Sequence, residues 1–161
     1  LESDGTMMGL KKGESLPLDA LLHGMIMVSG NDAANVIAES LSGSVPLFVR
    51  EMNDYLAKIG CQKTNYLNPH GLHHPEHITT AYDLALMMKK GLTIPKFREL
   101  VSKVSYLRPK SNKNPKAEIV TFNQLLKPGK YYYEKAIGAK TGYHSQSMAT
   151  LISAAHFGGR K

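Results

Sequence analysis

The stretch Leu18-Asp19-Ala20-Leu21-Leu22-His23-Gly24-Met25-Ile26-Met27-Val28-Ser29-Gly30-Asn31-Asp32-Ala33-Ala34-Asn35 decides how the rest of the chain is read. Leu18, Leu21, Leu22, Met25, Ile26 and Val28 recur at three- and four-residue spacings, which predicts a helix with one buried face. Ser29-Gly30-Asn31 breaks that period. Asn31 or Asp32 is expected to cap a second helix over 33–40, because short polar side chains accept hydrogen bonds from the free amides of a first turn. The triplet is therefore expected in a turn between two helices.

Further along, Phe48, Met52, Tyr55, Leu56 and Ile59 mark an amphipathic helix stopped by Gly60. Thr80 with Asp83 forms a capping-box pattern before Leu84, Met87 and Met88, and Gly91 closes that helix. Pro95 opens a short helical turn. Residues 101–107 and 119–122 have strand composition and flank the polar segment 108–116. Residues 137–142 and 148–157 are the last strands, joined by a hairpin turn at His144-Ser145-Gln146-Ser147. Helices followed by strands predict an α+β layered domain, with no internal repeat.

The 161 residues suit one domain; 42% are apolar and 20% charged, which excludes collagen-like and disordered classes. The longest near-continuous apolar run, residues 16–28, is too short to span a bilayer and contains Asp19 and His23. His23 reads as a packed or partly exposed helical residue. The formal charge of +7 favours an anionic partner such as nucleic acid, an anionic surface or a carboxylate-bearing polymer. The single cysteine, Cys61, excludes an internal disulfide and reads as a packing residue.

Lys140-Thr141-Gly142 stands on a predicted strand behind Gly138 and Ala139. The small residues leave room for another backbone to lie against that strand. A lysine and a threonine hydroxyl pointing into the space could bind a carboxylate. Ser29-Gly30-Asn31 and Lys140-Thr141-Gly142, in that order, match the second and third elements of the S-x-x-K, S-x-N, K-T-G pattern of penicillin-binding proteins and β-lactamases. The match extends to Gly9-Leu10-Lys11-Lys12-Gly13-Glu14, Asn68-Pro69-His70-Gly71-Leu72, Thr80-Ala81-Tyr82-Asp83-Leu84-Ala85 and Gly138-Ala139-Lys140-Thr141-Gly142-Tyr143. Across nearly the whole chain the sequence resembles the D-alanyl-D-alanine carboxypeptidases among the low-molecular-weight penicillin-binding proteins.

That resemblance implies a β-lactamase/transpeptidase-like α+β fold, with a helical cluster packed on an antiparallel sheet. It implies a serine peptidase without a cofactor, acting outside the cytoplasmic membrane of a bacterium on peptidoglycan stem peptides ending in D-Ala-D-Ala, and acylated by β-lactam antibiotics. By position, Ser29 would relay a proton, Asn31 would bond the substrate amide and the active-site lysine, and Lys140 would supply positive charge. Thr141 would bind the substrate carboxylate, and the amide after Gly142, that of Tyr143, would donate to the oxyanion.

No serine of the chain is followed three residues later by lysine. Thr93-Ile94-Pro95-Lys96 lies after the Ser29 triplet and carries a proline against helical alignment. Residues 1–161 are therefore expected to form a partial domain, open at both ends. The nucleophile segment would lie upstream or on a separate chain, and Gly158-Gly159-Arg160-Lys161 would lead into one more strand; the chain alone is expected to be inactive. Ser147-Met148-Ala149 departs from the small, glycine-bearing family stretch at the outer strand. The chain also lacks the glutamate loop of class A β-lactamases.

Two alternatives stand beside this reading. His70, His73, His74 and His77, with His73 and Glu76 spaced as H-x-x-E and with His144 and His156 as distant ligands, would make a zinc site of a metallopeptidase or metal-binding protein. Gly71 and Pro75 interrupt any helix that would align them. Tyr131-Tyr132-Tyr133 among Lys127, Lys130 and Lys135 would suit a basic nucleic-acid-binding module, since rings stack on bases and lysines meet phosphates.

Overall fold

The computed structural model describes residues 5–158. Helix α1, Leu18–Met27, and helix α2, Asn31–Ser42, pack together through small residues. Ala20, Ala33, Ala34 and Ala38 are buried and allow close approach, while Met27, 1% exposed, and Ile37 fill the core between them. Helix α3, Val45–Lys58, starts where Ser44 Oγ accepts from the Leu47 amide and packs on α2. Gly60, at φ +96°, lies just past its end, as the sequence predicts.

Helix α4 is Ala81–Gly91, capped by Thr80 Oγ1, which accepts from the Asp83 amide at 3.1 Å. Only half of the expected capping box forms. The Asp83 carboxylate accepts instead from the Thr64 hydroxyl at 2.7 Å and the Lys63 amide at 2.9 Å. These bonds, the Thr64 hydroxyl foremost, hold its carboxyl below the usual aspartate range. Cys61 is buried, with its Sγ against the Asp83 carbonyl, and burial raises its thiol.

Two expectations are corrected. The N-cap of α2 is Gly30 and no side chain caps it; Asp32 turns its carboxylate to a different partner, described below. Residues 101–102 belong to helix α5, Pro95–Ser102, because Pro95 fits the first helical turn and Leu100 and Val101 are buried there. The strands then run as β1, Ser105–Arg108, and β2, Ala117–Val120, with Leu107 opposite Glu118. A 3-10 turn, Gln124–Leu126, follows.

Strand β3, Ala136–His144, pairs antiparallel with β4, Met148–Ala155, through the predicted turn. Among the described residues the strands form two separate antiparallel pairs rather than one sheet, and β4 ends at Ala155. Most of the expected turn at 158–161 lies outside the described residues. No helix is long and apolar enough to cross a membrane among them.

Candidate active site

Ser29, two residues past the end of α1, lies in the left-handed region at φ +54°, a conformation uncommon for a residue with a side chain. The Gly30 amide returns to the Gly24 carbonyl at 3.1 Å, turning the chain sharply into α2. Phe122, just past β2, donates its amide to the Met27 carbonyl at 2.9 Å and so fastens the second half of the chain to this corner. Asn31 is buried, and its amide donates to the Thr6 carbonyl at 2.8 Å.

The lysine arrives from the other side. Strand β3 packs on α5, and Gly138 is the point of closest approach: a Cβ there would lie 2.1 Å from the Val101 carbonyl oxygen. Its φ of +146° and the register shift between Ala136 and Gly138 mark a bulge, which kinks a strand and re-aims the side chains beyond it. This is the close backbone approach expected from the small residues.

Two residues later, Lys140 Nζ donates to Ser29 Oγ and, at 2.5 Å, to the Thr141 carbonyl. The Ser29–Lys140 bond joins positions 111 apart in sequence. Burial pushes the Lys140 amine below the usual lysine range. A partly dehydrated ammonium against a serine hydroxyl can pass a proton through that hydroxyl or hold an anion beside it.

The other expected residues sit around this pair unequally. Thr141 is half-buried and enters the network through its carbonyl. Gly142 lies opposite Thr150, where a Cβ would come within 2.6 Å of the Thr150 hydroxyl. Tyr143 follows on the same strand, 75% exposed. Sequence reasoning took Asp32 only as a helix cap and missed its partners 22 to 24 residues away, which no local pattern marks. It also missed Asn123, buried and next in sequence to Phe122, whose Oδ1 accepts from the Leu125 amide while its Nδ2 finds no partner among the described residues.

The histidine cluster does not make a metal site. Among the described residues no three His, Cys, Asp or Glu side chains are arranged to hold an ion. One ring nitrogen of three of them accepts from backbone: His70 Nδ1 from Leu72, His74 Nδ1 from Glu76, and His77 Nδ1 from Leu67. His73 stacks on His144 with centroids 5.5 Å apart. Burial, then the neighbouring His70, His74 and His73, lowers the basicity of His77. The three tyrosines are exposed, with Lys130 Nζ 5.4 Å from the Tyr131 ring, and nothing further favours nucleic acid.

His23 is fully packed: its ring stacks on Tyr106 at 3.7 Å and its Nδ1 donates to the Asp19 carbonyl at 2.7 Å.

The chain is similar to known proteins along nearly its whole length. The chain is 35% identical over 157 residues to D-alanyl-D-alanine carboxypeptidase DacF of Bacillus subtilis, a match covering 96% of this chain and 38% of that protein. A crystal structure of a D-alanyl-D-alanine carboxypeptidase from Mycobacterium tuberculosis superposes with a TM-score of 0.88 at 33% identity, over 99% of this chain and 58% of that one. Penicillin binding protein 5 from Haemophilus influenzae gives 0.83 at 30% identity, over 96% and 43%. The chain thus spans between about two-fifths and three-fifths of these relatives' lengths. The pattern of the D-alanyl-D-alanine carboxypeptidase family matches residues 2–161, and the chain belongs to that family.

Proposed function

We propose that this chain is part of a serine D-Ala-D-Ala carboxypeptidase that trims peptidoglycan stem peptides outside the cytoplasmic membrane and is acylated by β-lactams. The observation that carries the reading is the hydrogen bond from Lys140 Nζ to Ser29 Oγ, which brings the two family motifs together. The nucleophile would be the serine of a Ser-x-x-Lys segment outside these 161 residues. Its Oγ attacks the carbonyl of the penultimate D-Ala, the C–N bond breaks, and the terminal D-Ala leaves as the amine. Ser29 passes the proton to that amine, taking one in return from the catalytic pair.

The lowered basicity of Lys140 suits it to share a proton with Ser29. Lys140 and the Thr141 hydroxyl meet the substrate's terminal carboxylate. Asn31 bonds the substrate amide and the nucleophile's lysine, while the Tyr143 amide, beyond Gly142, donates to the oxyanion. The lysine excess elsewhere on the surface would face anionic wall polymer or membrane.

Labelling with a fluorescent penicillin tests the reading. The 161-residue chain alone should form no adduct, and the full-length protein should form one. In the full-length protein, Lys140→Ala should slow acylation by at least about a hundredfold, the scale of losing one preorganised electrostatic partner. Labelling of the isolated chain, or unchanged kinetics in the variant, would remove the assignment.

A further inference from the structure

Asp32 is fully buried, and its carboxylate is spent on main-chain amides. Oδ1 accepts from Met8 at 2.8 Å and from Ala33 at 2.9 Å, and Oδ2 accepts from Gly9 and Leu10, each at 2.9 Å. Three consecutive amides of the segment 8–10 are thereby drawn onto the first turn of α2. Charge-assisted bonds of this kind are among the strongest in a protein interior.

What the clamp presses into place is Met8. Its side chain lies where a Cβ on Gly24 would come within 2.3 Å of Sδ, and its amide and Cβ lie about as close to Gly30 as any side chain would allow. Gly24 and Gly30 are also the two ends of the hydrogen bond that closes the turn. Met8 thus wedges the corner on both sides of Ser29, and the Thr6 carbonyl pins the Asn31 amide from the same segment. Ser29 sits at φ +54°, and a residue stays in such a conformation only where its surroundings over-determine it.

We infer that Asp32 is a positioning residue: by clamping residues 8–10 it holds the strained Ser29 turn in the shape that presents the Ser29 hydroxyl to Lys140. The inference rests on the role given to Ser29 above.

The same segment has a second fastening, which supplies the control. Glu14 accepts from the Ser111 hydroxyl at 2.5 Å, from the Lys11 amide at 3.0 Å and from Asn114 at 2.8 Å, and pairs with Arg108 at 3.4 Å. These partners lie at positions 11, 108, 111 and 114, and Asn114 also donates to the Gly9 carbonyl at 3.2 Å. Asp32→Asn keeps the shape but turns a donor towards the amides; Met8→Ala removes the wedge and leaves the clamp. Glu14→Gln loosens the strap elsewhere.

In the full-length protein, acylation by fluorescent penicillin is followed well below each variant's melting temperature. Asp32→Asn should lower the first-order acylation constant at saturating penicillin at least about tenfold, with the half-saturating concentration changed less than about twofold. Met8→Ala should lower the same constant in the same sense, and decides the matter if Asp32→Asn does not fold. Glu14→Gln should lower the melting temperature and leave both constants as they were. Wild-type acylation constants in Met8→Ala or in folded Asp32→Asn overturn the inference, as does an equal loss in Glu14→Gln. A wild-type protein that takes up no penicillin removes the role of Ser29, and the inference with it.

Discussion

The two sides of the Ser29–Lys140 pair are built in different ways. The serine side is a corner of buried helices and a strap held by carboxylates: Asp32 binds four amides, and Glu14 joins the strap to Ser111 and Asn114 about a hundred residues away. The lysine side is a two-stranded hairpin whose outer strand, β4, is largely exposed. It is seated by the contact of β3 with α5 at Gly138 and by the reach of Lys140 itself. Where a corner is over-determined, strain at Ser29 can be stored; where a strand meets a helix by a close backbone approach, its position is sensitive to that approach.

The difference can be broken most strongly at Gly138. A methyl group 2.1 Å from the Val101 oxygen must displace backbone on one side or the other, and φ +146° disfavours any side chain. Gly138→Ala should cost roughly 4 kcal/mol, combining overpacking with backbone strain. Denaturant unfolding measures it; a loss under about 1 kcal/mol would mean that β3 is not seated through this contact.

The next test sets one apolar side chain from each side against the other. Met27→Ala, in the core behind Ser29, should cost about 2–4 kcal/mol because the methionine is 1% exposed and its loss leaves a cavity. Leu151→Ala, on β4 opposite Thr141, should stay within about 0.5 kcal/mol because the leucine is 55% exposed. Equal losses would erase the contrast.

The two sides were also unequally legible in the sequence. Helices α1, α3 and α4 carry their own apolar period and their own stops, so Gly60 and Thr80 could be read in place. The β3–β4 hairpin was legible from its turn, and the Ser29–Lys140 pair from two motifs that mean little apart. The strap was not. Its order comes from Asp32 and from Glu14 with Asn114, contacts that span 22 to 100 residues and leave no periodic trace. Asp32 at the start of a helix has the same residue type whether it caps its own turn or binds foreign amides, and only the arrival of residues 8–10 decides. Residues 101–102 fall inside a stretch of strand composition, yet the burial of Val101 in α5 outweighs that propensity.

The smallest effect concerns the charge at the centre of the pair. Burial lowers the Lys140 amine below its value in the unfolded chain, so the folded state loses its proton at lower pH than the unfolded state does. Below the folded value both states are charged, and the folded state carries the cost of an ammonium out of water. Between the folded value and the ordinary lysine value of about 10.4, the unfolded chain binds more protons, so stability rises with pH across that window. Lys140→Met removes the cost and the window together. Its stability relative to wild type should therefore be most favourable at neutral pH and decline as pH approaches about 10.4. Thermal unfolding of both proteins from pH 7 to 10.5 reads the difference. A methionine variant that is less stable at neutral pH, with the deficit unchanged across the range, would show that the bonds from Lys140 to Ser29 and Thr141 hold the hairpin more than its buried charge loosens it.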